Sequence, residues 1–196
     1  MWTPERIEIG KQLLYAIEDG ESATVRSLCS MNPWLVTDYL WLGEATWLNT
    51  AAKKGRIEMM ATLLDLGFNI DALRLPEKST ALSTSIDFKH VDLALFLLSR
   101  GANPNLGRPL IGTIKCDIVD RRLELMRALV EHGADVNRRY DLYGNKDNQF
   151  TALDWAESQP EIAAYLREKG AKTTEELKSL LPPAAPLGER KGVRNR

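Results

Sequence analysis

Residues 46–71 read TWLNTAAKKGRIEMMATLLDLGFNID. This stretch predicts two short helices with a punctuated turn between them. Leu48, Ala51 and Ala52 form the apolar stripe of the first helix, and Lys53, Lys54 and Gly55 break it. Ile57, Met59, Met60, Leu63 and Leu64 carry the stripe of the second. Gly67 ends that helix, where the backbone often needs positive φ. A pair this short cannot bury both faces alone and needs copies of itself on either side.

The copies are present. Gly67, Gly101, Gly133 and Gly170 each close an apolar run: MMATLLDLG, LALFLLSRG, LMRALVEHG and IAAYLREKG. These glycines recur at intervals of roughly 32 to 37 residues, the period of a helical solenoid. Three are followed by a matched tail, FNID from Phe68, ANPN from Ala102 and ADVN from Ala134. Upstream stand matched helix openings: Thr46-Trp47-Leu48, Thr80-Ala81-Leu82, Arg108-Pro109-Leu110 and Thr151-Ala152-Leu153. The pattern resembles the ankyrin repeat, with its T-P-L-H opening, A-A-x-x-G-H-x-E turn and L-L-x-x-G-A-D-V-N close. The resemblance covers roughly residues 13–171, as four clear repeats and one degenerate one. It implies an all-α ankyrin-repeat solenoid of stacked helix-turn-helix pairs with β-turn fingers. It also implies a groove faced by the variable positions before each turn.

Composition agrees with a globular solenoid. Hydrophobic residues make up 44% and charged residues 27%, near globular averages. The formal net charge is −1, so overall charge points to neither nucleic acid nor a membrane surface. No apolar stretch is long enough to span a bilayer. The opening MWTPERIEIGK lacks a basic segment followed by an apolar run, so no secretory signal is visible. Cys29 and Cys116 fall in different repeats, which argues against a disulfide; reduced thiols suit a cytoplasm.

Taken in order, residues 1–45 hold N-terminal helices and a degenerate capping repeat. Thr3 is the expected N-cap with Pro4 at the first helical position, and Ile7, Ile9, Leu13, Leu14 and Ile17 should face inward. Trp34, Leu35, Tyr39, Leu40, Trp41, Leu42 and Trp47 then crowd a short connector. It is either a hydrophobic plug or an exposed aromatic patch. Repeats follow at 46–79, 80–107, 108–150 and 151–171. In the second of these Lys89 replaces the turn glycine, His90 holds the family's histidine position, and Asp87 and Phe88 take the variable positions. The third carries roughly four extra residues within 115–122, which either lengthen its first helix or bulge as a loop. Residues 138–150, RRYDLYGNKDNQF, form an extended finger with a turn at Tyr143-Gly144-Asn145. A terminal helix is expected at 172–181, followed by a disordered Pro-rich and basic tail at 182–196.

Catalytic chemistry is thin. His90 and His132 have structural explanations at turns, and Cys29 and Cys116 read as small core residues. No zinc-ligand spacing, phosphate loop or nucleophile elbow occurs. The expectation is a non-enzymatic protein-interaction module with no catalytic residues, cofactor or metal, monomeric when free. Its contact set is Lys53, Lys54, Asp87, Phe88, Arg138, Arg139, Tyr140, Tyr143 and Trp155. Tyrosine and arginine in an insertion are the composition of protein-contact hot spots. Trp155 stands between two roles, a groove anchor or a support packed beneath the long finger. A dedicated inhibitor, such as an immunity protein neutralising a toxin or enzyme, is the alternative; size and irregular fingers suit it. Nucleic acid is not expected as a partner, because the basic tail alone offers few charges.

Overall fold

A computed structural model describes residues 3–37, 47–74, 78–118, 120–142 and 145–180, and the side chains of 142–148 are outside that description. The connector residues Tyr39, Leu40, Trp41 and Leu42 and the basic tail therefore lie outside it, as does Tyr143.

The described chain is built from antiparallel helix pairs. The first helices are α1 (Pro4–Asp19), α4 (Trp47–Lys54), α6 (Ala81–Asp87), α8 (Pro109–Lys115) and α10 (Ala152–Trp155). Their partners are α2 (Ser22–Met31), α5 (Ile57–Asp65), α7 (Val91–Ser99), α9 (Arg122–Glu131) and α11 (Pro160–Glu168). A single turn, α3 (Trp34–Thr37), follows the cap, and α12 (Thr174–Ser179) closes the far end. A hairpin of β1 (Tyr140–Leu142) and β2 (Asn145–Phe150) precedes α10. Each first helix packs on the next along α1, α4, α6, α8 and α10, and each second helix along α2, α5, α7, α9 and α11. Two parallel rows of helices result, as the repeat pattern requires.

Between the rows runs one continuous core, including Leu13, Ile17, Leu48, Met60, Leu63, Leu82, Leu97, Leu125, Leu129 and Leu166. Each of these is at most 2% exposed. Thr3 caps α1 by accepting from the Arg6 N–H at 3.3 Å, with Pro4 in the first turn. Leu13 and Ile17 are buried as expected, while Ile7 is only half-buried. Trp47 is buried at 8% exposure, which places this end of the connector in the core.

The matched tails do more than mark the period. The Asp71 carboxylate accepts from the Asn103 N–H at 2.9 Å, Asn105 Oδ1 from the Asp135 N–H at 2.8 Å, and Asn137 Oδ1 from the Lys172 N–H at 2.8 Å. The Asn105 and Asn137 amides also donate to the carbonyls of Gly133 and Gly170. A ladder of side chains therefore ties each repeat's tail to the next and satisfies carbonyls that a helix end leaves open.

The extra residues of the third repeat bulge as a loop, because α8 ends at Lys115 and α9 begins at Arg122. Arg122 donates to the carbonyls of Thr113 and Cys116 at 3.2 and 2.8 Å, and Ile118 is buried beneath the loop. The first finger is pinned by an antiparallel bridge between Arg74 and Ser79.

Candidate partner-binding face

The side chains of interest stand where first helices end. Lys53 and Lys54 occupy the last turn of α4, and both are exposed. Asp87 ends α6, and Phe88 follows as its C-cap with 50% of its surface open. Lys53 Nζ lies 6.0 Å from the centre of the Phe88 ring, at the outer limit of a cation–π contact. The turn beyond is fixed by His90, whose Nε2 is 2.9 Å from the Lys53 carbonyl. A carbonyl only accepts, so Nε2 carries the proton. His132 acts similarly through Nδ1 on the Ala128 carbonyl at 2.8 Å. Both histidines are thus used in holding turns.

A second cluster lies two repeats on. Lys115, the last residue of α8, places Nζ 4.1 Å from the Trp155 ring centre. Phe150, at the end of β2, meets the same indole edge-on at 5.7 Å between centres. Trp155 is half-buried between these two, so it packs beneath the root of the finger while keeping part of its surface open.

The finger itself divides. Arg139 is exposed, whereas Arg138 donates from Nη1 to the Asn105 carbonyl and lies 5.3 Å from the Tyr140 ring centre. Tyr140 is 7% exposed, and burial pushes its hydroxyl pKa up. Its ring is committed to the finger's own packing, a correction to the expectation that it is presented to a partner. The alternation of β1 explains this: Tyr140 pairs with Phe150 at the inner end of the hairpin, where the side chains face the core.

Sequence reasoning missed the cations near the centre of the same face. Lys78 and Arg108, on the first two fingers, and Lys115, on α8, border a cleft of about 450 Å³. The available signal was position: Lys115 sits in the last turn of a first helix, as Lys53 does. The inserted loop beside it obscured that equivalence.

The remaining chemistry is quiet. Burial raises the pKa of both thiols, Cys29 and Cys116, which are unpaired, and so disfavours reactive thiolates. Among the described residues no group of three or more histidine, cysteine and acidic side chains is placed to hold a metal. No described helix is long and apolar enough to cross a membrane.

Comparisons with known proteins agree with this architecture. A family model described as ankyrin repeats, in three copies, matches residues 13–108. The transient receptor potential cation channel subfamily A member 1 of Homo sapiens is 29% identical over 132 residues, covering 66% of this chain and 11% of the channel. Ankyrin repeat and SOCS box protein 11 of Danio rerio is 35% identical over 92 residues, covering 47% of this chain and 31% of that protein. The chain thus spans only a minor part of the length of either relative. Ankyrin repeats are protein-interaction modules, and the helix pairs continue in register beyond the matched segment as far as α11. Residues 13–108 are thus ankyrin repeats, set in a two-row helix stack that continues their pattern as far as α11.

Proposed function

We propose that the chain is a non-enzymatic module that binds a protein partner across the face formed by its first helices and fingers. The observation that carries this reading is Phe88. It is a large apolar side chain, half open to solvent at the end of α6, with exposed Lys53, Lys54 and Asp87 around it. Nothing in the repeat's own packing needs an aromatic ring there. Arg139 and the open side of Trp155 extend the contact set along the face; Tyr143, outside the described residues, stays in the set on its residue type alone. A rigid stack loses little entropy on docking, so such contacts convert well into affinity.

A dedicated inhibitor, immunity proteins included, is the narrower form of the same reading, and the cytoplasm is the compartment that its free thiols suit. The test is a pull-down with the tagged chain beside a Lys53→Glu/Phe88→Ala double variant, with captured proteins identified by mass spectrometry. One stoichiometric partner lost in the variant is the expected result, and if that partner is an enzyme silenced by binding, the inhibitor form holds. A partner retained by the folded variant would remove α4 and α6 from the interface.

A further inference from the structure

The ion pairs of the described residues are unevenly placed. Arg26 and Arg100 reach Asp65, Arg121 reaches Asp92 and Glu124, and Arg167 reaches Glu176. These belong to the second helices and the segments flanking them, while Lys11 pairs with Glu8 within α1 and Lys89 pairs with Asp117 between the α6–α7 turn and the inserted loop. On the opposite side, Lys53, Lys54, Lys78, Arg108 and Lys115 are exposed and form no ion pair among the described residues. Three of them, Lys78, Arg108 and Lys115, border the cleft between the fingers and helices α6 and α8.

The cleft contains one opposing charge, Asp87. Asp87 is exposed as a residue, but its Oδ1 lies close to α8, 3.5 Å from where a Cβ on Gly112 would stand, and partial burial raises the carboxyl's pKa. The lining also includes buried Ile111 and Gly112, which lacks a side chain that would fill the space. Lys115 Nζ lies 4.1 Å from the centre of the Trp155 ring. The cleft of about 450 Å³ therefore gathers three cations against one carboxylate among otherwise uncharged lining residues.

We propose that this cleft binds an acidic, extended segment of the protein partner, with the segment's carboxylates paired to Lys78, Arg108 and Lys115. The inference rests on the protein-binding reading above and adds the chemistry of what is bound. Three cations lining one cleft with uncharged Ile111 and Gly112 suit an acidic extended chain, because alternate side chains of such a chain point the same way and can present several carboxylates to one face. Unpaired cations on a bare surface repel one another slightly; an acidic segment removes that repulsion and gains Coulomb energy in a partly enclosed site.

The experiment pans a random library of peptides about twelve residues long on the immobilised full chain, long enough to lie along the cleft extended. Enriched peptides are then titrated as labelled synthetic probes by fluorescence anisotropy. The expected result is enrichment of sequences rich in Asp and Glu. Arg108→Glu and Lys115→Glu should each weaken binding about fivefold or more, whereas Arg108→Lys and a control Lys169→Glu at the C-cap of α11 should not. Thermal unfolding identifies any variant that fails to fold. Binding by the unaltered chain should also fall steeply from about 0.05 M to about 0.5 M salt, a readout independent of mutation. Enrichment of neutral or basic peptides, no enrichment at all, acidic binders indifferent to the reversals, or tighter binding of a labelled single-stranded oligonucleotide would each overturn the proposal. A stoichiometric partner still captured in the pull-down in any of those cases leaves the protein-binding reading standing without its acidic chemistry.

Discussion

Gly55 and Lys89 occupy the same turn in successive repeats, with the same left-handed backbone at φ 68° and 64°. Glycine adopts it without steric cost, whereas a lysine is strained by about 1–2 kcal/mol. Lys89→Gly should therefore stabilise the chain by about 0.5 kcal/mol, the relief being partly offset by the freer unfolded chain and the lost surface pair with Asp117. Gly55→Ala should do the reverse, by about 1–3 kcal/mol, since its Cβ would fall 2.5 Å from the His90 ring. Urea midpoints of the two variants against the parent check both signs. Asp154 offers a pH-dependent case. Burial pushes its carboxyl pKa up, but hydrogen bonds from Thr174 and Thr151 outweigh this and hold it below the ordinary value. A lowered folded pKa means the contribution is full above the unfolded carboxylate range and is lost as pH falls through the folded value. Asp154→Ala should cost about 1–3 kcal/mol at neutral pH, and the gap should narrow below about pH 4.

Among the elements, the hairpin is the least like its family pattern. Its register pairs Tyr140 with Phe150 and Asp141 with Gln149, then shifts at a bulge to place Leu142 against Asn145. Gln149 reinforces the ladder by donating to the Asp141 carboxylate at 2.8 Å. The composition of this insertion, tyrosines among charges, reads equally as a presented surface or as a self-packed loop. The structure separates the two by position, burying Tyr140 at the root. Tyr140→Ala should consequently destabilise the chain by about 2–4 kcal/mol, seen as a lowered thermal midpoint. An unchanged midpoint would return that ring to the surface. Helix α12 is likewise an element with a clear task. Thr174 donates to Asp154 through both its N–H and its hydroxyl, and Glu176 pairs with Arg167 at 2.6 Å, covering the open end of α10 and α11.

For the whole molecule, stability is shared through neighbours. Leu97 lies on α7 at the middle of the second row and is fully buried. Leu97→Ala should cost about 2–5 kcal/mol through the cavity it leaves. Because each repeat is held by those beside it, this loss should shift one cooperative urea transition rather than split it. A biphasic transition would mean that the halves of the stack unfold separately. The same architecture separates charge. Among the described residues several second helices carry paired ions, while Lys53, Lys54, Lys78, Arg108 and Lys115 on the first-helix and finger side form none.

The sequence by itself determined the repeat, its helix pairs and its core. Apolar spacing and the glycines Gly67, Gly101, Gly133 and Gly170 depend on local backbone geometry, which each short segment encodes independently. It also located the two departures, at residues 115–122 and 138–150, because insertions change length whatever they fold into. Only the tertiary structure decided which way side chains in those insertions point: Tyr140 inward, Ile118 under its loop, Arg122 onto the end of α8. Likewise, Lys78, Arg108 and Lys115 are far apart in the chain, and they share one cleft only because neighbouring repeats stack. A surface assembled from several repeats has no local sequence signature, since each repeat supplies one part of it and the packing between repeats brings the parts together.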